Sequence, residues 1–511
     1  MTATVEPRPS EHVEQPTMAA KAAKPPATVT WESPAPGAYT RNFRFGEWIL
    51  GPVTPLFESW LLTSMEDRLH GELRRRLGQA APRPLHVVVN GWYFYSITWM
   101  SPSVMARNLP RLLARAIRNP RGVAGIIPPT VRFSIPLFER EWREDVRPRY
   151  RAAVAAAEAR VETDPVERLP GLVDELADLA GEYFLSIAAF AGAAYKLEMN
   201  LARFYRANVG GKVGGSHLPL LAGFEAPPDP AGHAVVSLDW WFEPAPAVAS
   251  PAAQRRRAAE HERLVAAREA AERAALDALA AKPARQRAFT KLLREAQRLV
   301  PIREEHVAEL TLAWPVMRRA VQRMGEALSA AGSIGTADDA YFLTRSELAE
   351  RLTGAARGAI DTATRRATLQ AQAQLNPPLF VGQISPMLSR LIGTFATMVG
   401  AARSDRAIVS GTPAAAGRAT GVVRVIRGPE GFGDLQDGEI LVAPITAPAW
   451  TPLFLKAAAV VTDVGSAAAH ASVIAREFGI PAVVGCGDAT SRLRTGMRVT
   501  VDGLTGNVEP A

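Results

Sequence analysis

The chain has a single cysteine in 511 residues, Cys486, so it cannot form an internal disulfide, and it suits a reducing compartment. Cys486 lies in the turn Gly485-Cys486-Gly487 with no histidine near it in sequence, which reads as an incidental residue rather than a nucleophile. No apolar run is long enough to span a bilayer, and the first residues carry neither an apolar signal core nor a cleavage site. A cytoplasmic protein without a membrane span is therefore expected. No long block of one charge occurs either. The net charge of +8 is modest for this length and the arginines are interleaved with glutamates, so a solvated mixed surface is expected and no nucleic-acid module is read. The histidines, His12, His70 and His261 among them, are scattered, no Ser-His-Asp triad or dinucleotide fingerprint can be read, and no metal site is expected.

At 48% hydrophobic the chain has enough apolar content for two to three domains. Residues 1–38 are rich in Pro, Ala, Thr and Glu without a sustained apolar period, which predicts a disordered tail. From 39 to about 400 the spacing is mainly helical: an amphipathic helix from about Phe57 to Leu77, helical material between Pro102 and Arg206, a long helix or helix pair over Gln254–Leu299, and another helix to Ala331. One interruption, Leu85 to Tyr95, predicts two short strands about Asn90-Gly91. The glycine-rich Gly210–His217 fails as a phosphate loop, because Arg206 and Val213 occupy positions that need Gly and Ser or Thr. A flexible interhelix loop is expected there. After Asp405 short apolar runs are split by Gly and Pro, with strands expected at Val422–Ile426, Glu439–Ala443, Met497–Val501 and Thr505–Val508.

The stretch from Thr462 to Gly485 carries the most chemistry. Ala457–Val461 reads as a buried strand, Gly465–Ala469 as a tight loop of small residues, and Ala469–Phe478 as a helix stopped by Gly479, with a second strand at Ala482–Val484. His470 falls in the first helical turn. There the unpaired N–H groups and the positive end of the dipole favour an anion and disfavour an imidazolium, leaving a neutral, nucleophilic ring. The small residues let a large ligand approach the backbone, and Arg476 adds charge.

Thr462, Gly465, His470, Ala475, Arg476, Gly479, Ile480, Pro481, Ala482 and Val483 stand at the spacing of the phosphohistidine motif, and this stretch resembles the swivelling domain of phosphoenolpyruvate-utilising enzymes. Ser466 replaces the motif's second Gly and Ala469 replaces the Ser before the His. Further likeness, to rifampicin phosphotransferases and phosphoenolpyruvate synthase-like proteins, comes from Gly46-Glu47 with Pro52-Val53-Thr54-Pro55-Leu56, from His233–Pro246, from Asp338–Leu348, and from Gly411–Gly421 with Thr446–Pro452. The resemblance implies a multidomain chain: a mostly α-helical N-terminal substrate-type domain over 39–400, then a C-terminal α/β swivelling phosphohistidine domain over 405–511. It implies that His470 is the phosphorylated residue, that Thr462, Gly465, Ser466 and Arg476 bind the phosphate, and that Arg303, with His306 nearby, belongs to the phosphoryl-transfer site of the helical domain. Val307 stands where that family has a second basic residue.

The family's nucleotide (ATP-grasp) domain and phosphoenolpyruvate barrel are not read in this sequence. ATP and magnesium are accordingly expected only on a partner subunit, a separate ATP-grasp protein, with a small-molecule acceptor at the helical domain and a hinge between about Met398 and Thr412. Ser466, Ala469, Ala415 and Val307 also suit a second reading, a non-catalytic relative that keeps the fold for binding or regulation. A third, in which the helical part binds anionic membranes, rests on charge alone.

Overall fold

Asn90 and Gly91 both take positive φ, 50° and 79°, which closes the two-residue hairpin their sequence predicts. In the computed structural model, which describes residues 29–41, 48–49, 51–77, 83–97, 110, 139–224, 233–234, 237–242, 245–246, 251–383, 406–447, 450–465 and 469–511, the hairpin is part of a four-stranded sheet. Its strands are β1 (Ala38–Thr40), β2 (His86–Val89), β3 (Trp92–Ser96) and β6 (Phe380–Gly382), in the order β2-β3-β1-β6. Between β3 and β6 in sequence lies a two-stranded ribbon, β4 (His233–Ala234) with β5 (Ala245–Pro246). The packed chain starts before Tyr39: Trp31 sits edge-on to Phe94 at 6.2 Å. Residues 1–28, most of the expected tail, lie outside the described residues, as does the expected hinge up to residue 405.

The helical unit follows the apolar periodicity. Pro55–Phe57 forms one helical turn capped by the Thr54 hydroxyl, Glu58–Leu62 continues as a π-helical turn, and α1 (Thr63–Leu77) completes the helix. α2 (Arg147–Arg160) and the 40-residue α3 (Leu169–Asn208) come next, and the long charged segment is a helix pair, α4 (Pro251–Ala278) and α5 (Pro283–Leu310). Gly210–Val213, expected as loop, is one helical turn, so its N–H groups are not arranged as a phosphate cradle. α6 (Trp314–Ala330), α7 (Arg345–Leu352) and α8 (Thr362–Ala373) finish the unit. Its main core buries Trp60, Trp142, Trp240 and Trp314.

Two segments far apart in sequence are joined inside this core. Asp239 accepts from the Thr54 backbone N–H at 2.7 Å and from the Thr54 hydroxyl at 3.0 Å, and burial pushes its carboxyl up to about 6. The entry turn ahead of Pro55 is thereby tied to the Leu238–Trp241 segment, which Trp314 also holds by donating to the Leu238 carbonyl.

The C-terminal unit is an eight-stranded sheet of order β7-β14-β13-β9-β10-β11-β12-β8. The strands are β7 (Val409–Ser410), β8 (Thr412–Ala415), β9 (Arg418–Val425), β10 (Ile440–Ala443), β11 (Ala459–Thr462), β12 (Ala482–Val484), β13 (Arg498–Asp502) and β14 (Asn507–Pro510). The central run β9-β10-β11-β12 is parallel and the flanking pairs are antiparallel. The terminal strands β7 and β8 are separated only by Gly411, where a Cβ would lie 2.6 Å from the Val484 carbonyl oxygen, so the sheet curls tightly there. One face packs Val423, Val442, Val461, Val483 and Val501 with Ala489 of α10 (Ala489–Arg492) and with Leu493 just after it, and the other carries α9 (His470–Glu477) over Leu441, Val460 and Val484.

Candidate phosphohistidine site

β11 ends at Thr462, and the chain turns at Gly465 with φ of 152°, where a Cβ would stand 3.0 Å from the Val484 Cβ and 3.3 Å from the Thr462 hydroxyl oxygen. Only glycine fits that turn without strain. Ser466 lies outside the described residues. Ala469 is the N-cap of α9, with φ −69° and ψ 161°, and its carbonyl accepts from the Ser472 and Val473 N–H groups at 3.0 and 3.1 Å. Without a side-chain oxygen it leaves the helix end uncapped by its own side chain. His470 is the first residue of the helix, 5% exposed, with the Phe454 ring edge-on at 6.5 Å. A parallel strand followed by a loop and a helix places the helix N-terminus at the carboxyl edge of the sheet, where oriented N–H groups can receive an anion.

Other polar groups gather at this edge. The Thr462 hydroxyl is fully buried and has no hydrogen-bond partner among the described residues. The same holds for the hydroxyl of Thr446, which leaves β10 through Pro444-Ile445, and for the Trp450 indole N–H. Sequence reasoning did not assign Thr446 or Trp450 to the site; the signal that finds them is their place just after a parallel strand. Asp463, next to Thr462, accepts from the Thr490 N–H at 2.8 Å and from the Thr490 hydroxyl. Burial raises its carboxyl above the usual range, against the pull of Thr490, Arg41 and Arg427.

Arg476 is placed elsewhere. Its guanidinium donates to the Ala414 carbonyl at 2.6 Å and to Glu198 on α3 at 2.8 Å, with both side chains at least nine-tenths buried. In this arrangement it ties the sheet unit to the helical unit from the far end of α9. His217 lies 3.6 Å from the same Glu198 carboxylate.

The helical candidates are set apart from this edge. Arg303 lies about two turns before the C-terminal end of α5, and its side chain lies outside the described residues. His306 is fully buried, stacked on Trp142 at 3.7 Å and against Phe190 at 4.4 Å, with its Nδ1 2.7 Å from the Ile302 carbonyl oxygen. Burial pushes its pKa down to about 3, so the ring is neutral. Its described surroundings are those of a core histidine of the helical bundle.

Residues 435–506 match the family described as PEP-utilising enzyme, mobile domain. Among curated proteins, an uncharacterized phosphotransferase of Bacillus subtilis is 35% identical over 36% of this chain and 22% of its own length. The rifampicin phosphotransferase of the same organism is 34% identical over 38% of this chain and 22% of its own. The phosphoenolpyruvate synthase of Aeropyrum pernix is 49% identical over 20% of this chain and 12% of its own. The chain thus spans only about a fifth or less of the length of these relatives. Within that limit, the histidine at the helix start and the family match agree: residues 435–506, inside the C-terminal α/β unit, are a mobile (phosphohistidine) domain of the PEP-utilising enzymes.

Proposed function

We propose that the protein is a phosphotransferase component in which His470 takes up a phosphoryl group and passes it to an acceptor held by the helical unit. The observation that carries the reading is His470 at the first residue of a side-chain-uncapped helix, on the carboxyl edge of a parallel sheet. In the first step a lone pair on one imidazole nitrogen forms the P–N bond while the donor's P–O bond breaks, and the electron pair leaves on the donor oxygen. In the second the acceptor oxygen forms a P–O bond, the P–N bond breaks with its electron pair returning to the ring, and the acceptor's proton is released. Splitting one displacement into two lets a donor and an acceptor use the same residue in turn. The Thr446 and Thr462 hydroxyls and the first N–H groups of α9 are the groups that hold the phosphoryl oxygens.

The donor in this reading is ATP or phosphoenolpyruvate bound on a separate subunit, with magnesium arriving on the nucleotide there. A test uses purified chain with labelled ATP or phosphoenolpyruvate, alone and with a co-encoded ATP-grasp protein. An acid-labile, base-stable label on His470 that needs the second protein and is lost in His470→Ala supports the reading. Labelling of the chain alone overturns the part that places the donor elsewhere. The missing cap hydroxyl at Ala469 favours a second reading, a binding protein that keeps the fold; absence of label under every condition selects it.

A further inference from the structure

The helical unit covers the edge on which His470 lies. Leu379 and Phe242 pack on the core that includes Val464 and Ala471, and Leu379 Cδ1 lies 3.1 Å from where a Gly487 Cβ would be. Arg427 of the sheet unit donates to Asn376 at 3.1 Å, and the Gly487 N–H donates to the Asp463 carbonyl at 2.8 Å. The same Leu379 carbonyl accepts from the Arg41 backbone N–H at 3.0 Å and from the Thr40 hydroxyl at 3.0 Å. Arg41, the residue after β1, is therefore linked through Leu379 and Gly487 to the Asp463 loop.

Its side chain is unusual. Arg41 is 7% exposed, its guanidinium lies over the Trp92 ring at 4.5 Å, and among the described residues that guanidinium makes no hydrogen bond. Asp463 is the carboxylate that acts on it, and Arg427 is a second cation that acts on Asp463. Burial lowers the guanidinium to about 10, which leaves it charged at neutral pH. A buried cation is costly unless its donors are used. The planar fork of donors suits the oxygens of a phosphoryl group, and the loop beside it leads to His470.

We propose that Arg41 is a phosphoryl-binding residue that the helical unit contributes to the His470 site. This rests on the reading of His470 as the phosphorylated residue. With the two units docked, the guanidinium turns from the weak field of Asp463 to the phosphoryl oxygens. Asp463 then competes for the same cation.

The competition separates this role from a plain docking ion pair. Full-length protein is treated with potassium phosphoramidate, a small phosphoryl donor that transfers its PO3 group to imidazole with loss of ammonia. Phospho-His470 is followed by 31P NMR and by mass. The expected order of labelling rate is wild type above Arg41→Lys, with Arg41→Gln at least tenfold below wild type, and Asp463→Asn equal to or faster than wild type. A shifted 31P resonance in Arg41→Gln, and partial rescue of Arg41→Ala by added guanidinium, complete the expected result. If Arg41→Gln and Asp463→Asn lose labelling equally, the pair only docks the units and the proposal is overturned. It is equally overturned if Arg41→Gln labels like the wild type. Arg41→Lys retains the charge, so a defect shared equally by all Arg41 variants marks a packing role and also counts against it. A wild type that never labels, with a phosphorylatable free-imidazole control, overturns the His470 reading itself, a result distinct from failure at Arg41 alone.

Discussion

The sheet unit and the helical unit both bury tryptophan, but they use buried polar groups differently. In the sheet unit the buried hydroxyls of Thr446 and Thr462 follow the ends of β10 and β11, because these parallel strands end side by side. In the helical unit carboxylates tie distant segments together: Asp239 to Thr54, Asp174 to Trp60 and Arg345, and Glu309 to Arg147 and Arg151. Parallel strands converge on a common end, whereas helices of a bundle meet along their sides. An edge that leaves donors open is ready for an anion, and a bundle whose carboxylates cross-link its parts is a rigid support for whatever is brought to it.

This contrast is broken most strongly through the cores. Trp314 and Trp450 are both essentially fully buried, one in each unit. Trp314→Ala and Trp450→Ala should each cost about 4 kcal/mol, the usual range for a large aromatic truncated in a packed core. Calorimetry on the full chain should show each change lowering a different transition. A single transition moved equally by both would mean that the units unfold together and the division is only topological.

The cross-links of the helical unit carry a pH signature. Asp239 has a folded pKa of about 6 against an unfolded value of about 3.9, so its folded form prefers the proton. The contribution is fully present below about pH 4 and is lost as pH rises through about 6, a swing of about 3 kcal/mol by linkage. Denaturant titrations of wild type and Asp239→Asn from pH 4 to 8 should therefore diverge, with the wild type losing stability over that window and the variant staying flatter. Parallel curves would show that Asp239 is ionised without cost.

Much of this division was legible in the sequence, for local reasons. The hairpin at Asn90-Gly91 and the helix stop at Gly479 are set by backbone conformations that few other residues adopt, and both stand where expected, Gly479 with φ of 61°. The strand-loop-helix unit around His470 follows from short apolar runs and small residues. What was not legible is long-range. Nothing local to Thr54 shows that it meets Asp239, and nothing near Arg41 shows that the charge of Asp463, in the other unit, acts on it. Sharing a helix with His470 suggests Arg476 as charge for the phosphate, but a helix turns side chains to different neighbours, and here Arg476 donates to Glu198.

That last contact offers a smaller test of how firmly the units are held. The Arg476–Glu198 pair joins α9 to α3 and is buried on both sides. Glu198→Gln keeps the shape and a hydrogen-bond acceptor but removes the charge, and should weaken docking by about 2 kcal/mol, the difference expected between a charged and a neutral buried hydrogen bond. Distances between fluorophores placed on the two units should broaden in the variant. An unchanged distribution would show that Leu379, Phe242 and Asn376 suffice to hold the edge closed.

The smallest effect contrasts two helix starts. α7 begins at Thr344, whose side chain accepts from the Glu347 N–H at 3.3 Å while the Glu347 carboxylate accepts from the Thr344 N–H at 2.8 Å, a complete capping box. α9 begins at Ala469, with no side-chain acceptor. Thr344→Ala should cost about 1 kcal/mol and Ala469→Ser should gain up to about the same, because each changes one N-cap oxygen. The two should differ in response to anions. A serine oxygen at 469 takes an N–H that an anion would otherwise use, so inorganic phosphate should raise the melting temperature of the wild-type sheet unit more than that of Ala469→Ser, by a margin of a few degrees at most. Thr344→Ala should leave the response to phosphate unchanged. If phosphate stabilises Ala469→Ser as much as the wild type, the start of α9 is an ordinary helix end and holds no anion.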